Sequence, residues 1–330
     1  MEQKKTRLYT ALAIGIFAAV FAALLTVATL YDLDVSKILT KNALPDGAYF
    51  STSNFGLFFE AVGSAPIYLM AAVGGAVGFW WGIRKKDIKA VQIAVPIACA
   101  VIVFVGVYLF VSDIFSYLGE HMRNEEFMGS GYVTCLTILL TLIISALLVL
   151  TWKQISAESN EKLIKWCFVI LITLALYLIV HFIKSPIGRV RFRTMNYLGD
   201  SQYSYYTRWY VVNGKRNIVP LAEGVEITDS CKSFPSGHTF SAALIYTMLC
   251  LPDLLPKWNK KWVKIVLYVG TIGFTGMVAI SRIMVGAHYM SDVLFGGTLS
   301  FLAMVIAREI VIFRGAHILS LFGKTVNIKE

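Results

Sequence analysis

Apolar residues run along this chain in long, nearly unbroken stretches, not in the alternation of a half-buried strand or the stripe of a surface helix. A helix needs about 20 such residues to cross the hydrocarbon core of a bilayer. The pattern predicts eight spans, at 8–31, 57–83, 90–112, 131–152, 166–183, 237–256, 265–284 and 289–312. The first follows Lys4, Lys5 and Arg7 and is too long for the apolar core of a typical signal peptide, so it is read as a retained span. The fold class expected is all-α, a polytopic transmembrane bundle of about eight spans. Gly74 and Gly78, four apart in the second span, permit a close helix contact.

Composition agrees. Hydrophobic residues make up 57% of the 330, charged residues 15%, and mean hydropathy is +0.67. Soluble domains carry about 25% charged residues, so a soluble enzyme, a disordered chain and a disulfide scaffold are excluded. Cys99, Cys135, Cys167 and Cys250 lie in apolar runs and only Cys231 in a polar loop, which leaves no loop-to-loop disulfide.

The net charge of +10 does not signal nucleic acid, because the basic residues sit mostly in short loops between apolar runs. Of the 30 Lys and Arg, 18 fall on one set of span ends, and eight of the other 12 lie in the long loop 184–236. Long loops count less in the charge rule, so both termini are expected in the cytoplasm, with loops 32–56, 113–130, 184–236 and 284–289 outside. The chain has no Asn-x-Ser/Thr sequon, which suits a bacterial protein. The segment 316–323 is expected on the inner membrane surface.

Loop 184–236 is too long for a connector. Asn213-Gly214 between β-prone runs predicts a hairpin. Six aromatics crowd the same loop (Tyr197, Tyr203, Tyr205, Tyr206, Trp209, Tyr210), as interfacial anchors or as a cap over a lipid-binding mouth.

Three segments carry chemistry, and charge topology alone puts all three at the outer face. They are Lys184 to Arg191 at the end of span five, Pro235-Ser236-Gly237-His238 at the start of span six, and Ser281 to Asp292 across spans seven and eight. Lys184 and Arg191 are two helical turns apart and share a face if the helix persists; Pro186 and Gly188 make a bend the alternative. With Arg282 they give three cations, which a phosphate would satisfy. Ser236 can cap or donate to a phosphate oxygen, and Gly237 lets backbone approach closely. His288 and Asp292 are i and i+4 on one helix; a carboxylate on Nδ1–H would leave Nε2 free as nucleophile or base. Arg189 and Arg193 are read as attracting anionic headgroups, and Glu60 as a solvated interfacial carboxylate. His121, His181 and His317 match no motif; His181 could line the mouth, though a packed histidine is the commoner case.

The pattern Lys-x6-Arg, Pro-Ser-Gly-His, Ser-Arg-x5-His-x3-Asp resembles the type 2 phosphatidic acid phosphatase superfamily, over about residues 166–305. That superfamily includes lipid phosphate phosphatases, undecaprenyl-diphosphate phosphatases, glucose-6-phosphatase and vanadium haloperoxidases. The family usually has proline after the motif's Arg, where this chain has Phe192. The resemblance implies a six-helix phosphatase core, here 90–330 with its loop 184–236, and a two-span N-terminal addition, 1–89. It implies His288 as the nucleophile on phosphorus, Asp292 orienting it, and His238 protonating the leaving oxygen. Lys184, Arg191, Ser236, Gly237 and Arg282 would hold the phosphate oxygens. No acidic metal cluster is visible, so no cofactor is expected.

The resulting expectation is a metal-independent membrane phosphatase acting on a lipid phosphate or diphosphate. Undecaprenyl diphosphate, phosphatidic acid and phosphatidylglycerol phosphate are the candidates. Its partners would be that substrate and the membrane lipids. A phosphotransferase of the same fold, passing the phosphoryl group to an envelope lipid or glycan, and a non-catalytic lipid-phosphate transporter are the alternatives.

Overall fold

The computed structural model describes residues 2–122, 126, 129–216, 218–219, 221–222, 225–226 and 229–322. Its long helices are α1 (Glu2–Thr40), α2 (Asn54–Val62), α3 (Ala65–Arg84), α4 (Lys89–Met122), α5 (Gly131–Lys153) and α6 (Ala157–Ile187). A short α7 (Phe192–Tyr197) follows, then a two-residue pair β1 (Leu221–Ala222) and β2 (Val225–Glu226). They pair antiparallel, with Leu221 opposite Glu226. The chain closes with α8 (Gly237–Ala243), α9 (Leu251–Leu254), α10 (Lys261–Met284), α11 (Met290–Val311) and α12 (Ala316–Leu321). Seven segments among the described residues are long and apolar enough to cross a membrane, as a polytopic bundle requires.

Two spans differ from the sequence expectation. The second is broken into α2 and α3 at Gly63-Ser64, where Pro66 lacks the N–H that would continue the ladder. The predicted span 237–256 is not one helix. It runs α8, then a 3-10 stretch over Leu244–Cys250, then α9. Phe240, Ala242, Ala243, Leu244 and Cys250 are all buried against protein. An irregular backbone is tolerated at membrane depth only where protein, not lipid, surrounds it. Trp166 Nε1 donates to the Thr247 carbonyl at 2.9 Å, which supplies such a partner.

Three buried clusters hold the bundle. One joins α3, α6, α9 and α11 through Val77, Trp166, Ile170, Leu251 and Met304. A second zips α3 to α4 through Ala72, Ala76, Val103 and Val107. Gly78 makes that approach possible: a Cβ there would lie 2.7 Å from Cys99 Sγ. The third sits under the long loop, with Leu44, Val190, Phe192, Met195 and Tyr289.

Among the described residues the predicted hairpin at Asn213-Gly214 does not form. Asn213 instead docks on the end of α6, its N–H donating to the Ile187 carbonyl at 2.9 Å. Gly188 caps α6 with φ +58°, and a Cβ there would lie 1.9 Å from the Gly214 carbonyl oxygen. The aromatics of this loop divide. Trp209 packs on Phe234 and Phe295, Tyr206 on Tyr289, and Tyr203 on Phe192, whereas Tyr205 and Tyr210 are exposed.

Contacts separate the bundle into two ends. Asn196 of α7 donates to the carbonyls of Pro45 and Ala48, Ser64 bonds Asp113, and Tyr117 meets His238, all at one end. Glu161 bonds Trp81 and Lys85, and Asp253 bonds Arg308, at the other. These are the two sets of ends that the charge count distinguishes. His317 pairs with Glu309 at 2.9 Å, which accounts for one motif-less histidine; His181 is exposed, neither packed nor bonded to the site. The side chain of His121 lies outside the described residues.

Candidate active site

Backbone hydrogen bonds draw the three chemical segments together before any side chain acts. Ser236 N–H donates to the Asp292 carbonyl at 3.0 Å. Ser233 N–H donates to Arg189, and Arg193 N–H to Gly286. The N–H groups of Ala287 and His288 both reach the Arg282 carbonyl. The close approach depends on glycine: a Cβ on Gly296 of α11 would lie 2.3 Å from the Ser236 carbonyl oxygen. A Cβ on Gly237 would lie 3.3 Å from Lys184 Nζ and 3.4 Å from Tyr177 Oη, so Gly237 lets the ammonium settle against the backbone of α8.

His288 is buried. Its Nδ1 lies 2.6 Å from the Ser233 carbonyl oxygen, an acceptor only, so Nδ1 carries the proton. Nε2 therefore keeps its lone pair, with no hydrogen-bond partner among the described residues. The Asp292 carboxylate stands 3.7 Å from Nδ1. Asp292 Oδ2 accepts from Ser233 Oγ at 2.5 Å and from Tyr289 N–H at 2.9 Å. The sequence spacing placed Asp292 beside His288; the bond that sets the tautomer goes to Ser233, which no motif singled out. Burial, then the charges of Arg191, Lys184 and Arg282, hold the imidazole well below the ordinary histidine range.

His238, at the start of α8, shares a hydrogen bond of 2.6 Å with Tyr117 Oη of α4 and lies within electrostatic reach of His288, Arg282 and Lys184. Ser236 accepts from Thr239 N–H at 3.3 Å and so caps α8. Ser281 Oγ donates to the Val278 carbonyl within α10.

The cations come from separate elements. Lys184 sits in the last turn of α6. The helix stops at Ile187, so the bent alternative holds: Arg191 comes from the extended segment beyond Gly188. Arg191 Nε donates to the Asp229 carbonyl at 2.9 Å, and Nη2 is 3.7 Å from the Asp229 carboxylate. Burial would lift that carboxyl, but Arg191, Lys232 and Lys184 outweigh it and hold it below its ordinary range. Arg282 is buried with Nη1 2.5 Å from Glu60 Oε1, while its Nε has no hydrogen-bond partner among the described residues. A buried guanidinium with an orphaned donor suits an anion.

Two sequence expectations are corrected. Glu60 is not a solvated interfacial carboxylate. It is buried against Arg282 and lies 3.7 Å from Arg193. Arg189 and Arg193 do not face lipid headgroups. Arg193 is buried over the Tyr49 ring. Arg189 is wholly buried, bonding Asp292 at 2.5 Å, Ser291 at 2.7 Å, Asp32 at 2.8 Å and the Thr207 carbonyl at 2.9 Å. Asp32, Tyr117 and Ser233 were missed because each acts across more than 50 residues of chain, with no local spacing to mark it. Among the described residues no cluster of three or more His, Cys, Asp or Glu could hold a metal ion.

Two histidines, the buried guanidinium groups of Arg191 and Arg282 and the half-buried Lys184 gather at one end of a multi-pass helical bundle. Residues 162–315 match the family model described as the PAP2 superfamily, the type 2 phosphatidic acid phosphatases that the motifs resemble. Members of that superfamily are generally phosphatases, and the match supports a phosphatase- or phosphotransferase-type activity. No curated protein and no solved structure matched.

Proposed function

We propose that this protein is an integral membrane phosphatase that releases phosphate from a lipid phosphate or diphosphate, without a metal ion. The observation that carries the reading is His288: its Nδ1 is tied to a carbonyl, its Nε2 has no hydrogen-bond partner among the described residues, and the charges of Arg191, Lys184 and Arg282 act on the ring. Nε2 attacks phosphorus, and the P–O bond to the lipid breaks. The leaving oxygen takes a proton from His238. His238, now neutral, takes a proton from water as the water oxygen attacks phosphorus. The P–N bond breaks, its electron pair returns to Nε2, and inorganic phosphate leaves. Lys184, Arg191 and Arg282 neutralise the phosphoryl oxygens throughout, the largest need in phosphoryl transfer. Ser236 and Gly237 shape the floor of the site. Asp292 offsets the positive charge that forms on the ring.

The substrate candidates are undecaprenyl diphosphate, phosphatidic acid and phosphatidylglycerol phosphate. A site at the rim of the bundle suits a lipid whose tail stays in the bilayer while its headgroup is wet. We place the site on the extracytoplasmic face of a bacterial cell membrane with both termini in the cytoplasm, and read 1–89 as an addition to a core of 90–330. The test is a panel of purified lipid phosphates assayed for released phosphate, with EDTA present, followed by rapid quenching at neutral to alkaline pH. Release from at least one lipid and label trapped on His288 are expected. Label on another residue, or dependence on added Mg²⁺, would overturn the mechanism. Transfer to a lipid or glycan acceptor without release in water would make it a phosphotransferase.

A further inference from the structure

We infer that Asp32, in the first helix and outside the matched family region, is a positioning residue that sets the charge Asp292 presents to His288. This rests on the reading of His288 as nucleophile.

Helix α1 is peripheral: only 6% of its most apolar window is buried. Yet Asp32, at its outer end, is 2% exposed and fully engaged. Its Oδ2 accepts from Arg189 Nη2 at 2.8 Å and from Ser291 Oγ at 2.5 Å, and its Oδ1 from Ser291 N–H at 2.9 Å. Arg189 is therefore held between two carboxylates, Asp32 on Nη2 and Asp292 on Nη1. A buried carboxylate in a membrane helix is costly and normally marks function.

The charge count explains why two acids are needed. One guanidinium between two carboxylates leaves the cluster with one net negative charge. Without Asp32, Arg189 at 2.5 Å would cancel Asp292 before it acted on His288 at 3.7 Å. Attack on phosphorus makes the His288 ring cationic, and a neutral Arg–Asp pair would stabilise that cation poorly. Asp32 occupies the far side of Arg189 and restores the missing charge. It also holds Ser291, next to Asp292 in the first turn of α11, so the carboxylate keeps its position.

The test compares Asp32→Asn, Arg189→Gln and the double variant in the full-length protein, using a lipid phosphate that the wild type hydrolyses. The cluster charge becomes 0, −2 and −1, the last equal to wild type. Asp32→Asn should lower kcat by roughly 10-fold or more with KM within about twofold, because the lost interaction grows only in the transition state. Phosphohistidine should form more slowly by a similar factor in rapid quench. The double variant should recover several-fold of the loss. A purely structural role predicts that the double variant is no faster than Asp32→Asn, and that result overturns the inference. Should Asp32→Asn fail to elute as a folded species, the double variant, which leaves no buried cation unpaired, must still be folded and turn over within several-fold of the wild type, because its cluster charge is unchanged; a loss of 10-fold or more there overturns the inference. Failure of all three to fold would make the cluster a fold element and equally overturn it. If the wild type releases no phosphate from any lipid, it is the phosphatase reading that fails.

Discussion

At the scale of the residue, the site turns on which atom of each histidine is free. His288 spends Nδ1 on the Ser233 carbonyl, so removing the ring removes the proposed nucleophile; His288→Gln should cut phosphate release by at least about 10³-fold, with the protein still folded by size-exclusion chromatography. Its depressed pKa has a definite sign. A ring that loses its proton at lower pH is already neutral across the neutral range, so the acid limb of kcat/KM should lie below about 6.5. Arg191→Gln removes one of the cations that depress it, and the limb should then move to higher pH; an unmoved limb would separate the limb from His288. The bond between Tyr117 and His238 would orient the proposed proton donor. Tyr117→Phe should lower kcat by about 2–10-fold, as expected for one neutral hydrogen bond, with KM unchanged.

At the scale of the element, small residues at helix crossings decide whether the segments meet. Gly296 has the Ser236 carbonyl where its Cβ would be, and backbone cannot yield as a flexible side chain would. Gly296→Ala should destabilise by about 1–3 kcal/mol, read as a lower Tm in detergent, and should move α8 with its His238 away from α11. The apolar run at 237–256 predicted an ordinary span, because hydropathy records how apolar a segment is and not what surrounds it. Protein surrounds it, and that allows the 3-10 stretch which the run of residues alone would not suggest. The hairpin failed for a related reason. Asn213-Gly214 has the composition of a turn, but the backbone and side-chain amides of Asn213 donate to the Ile187 carbonyl at the end of α6.

At the scale of the whole molecule, the two ends of the bundle carry different chemistry, and the proposed orientation follows from their charge. Cysteine at Tyr210 in a cysteine-free background should react with a membrane-impermeant thiol reagent on intact cells. Cysteine at Lys86 should react only after permeabilisation. The reverse pattern would turn the site toward the cytoplasm. The N-terminal region is not a loose appendage, since Asp32 and Glu60 both place carboxylates against cations of the site.

The sequence by itself determined the bundle, the grouping of its ends and the motif residues. In lipid a backbone must satisfy its own hydrogen bonds, so apolar length dictates helix, and short motifs carry their chemistry locally. Only the tertiary structure decided which charges neutralise which. By sequence Arg189 reads as a headgroup contact; in the fold Asp32 and Asp292 close on it from two sides. An ion pair depends on how distant helices approach, and no spacing within one helix encodes that.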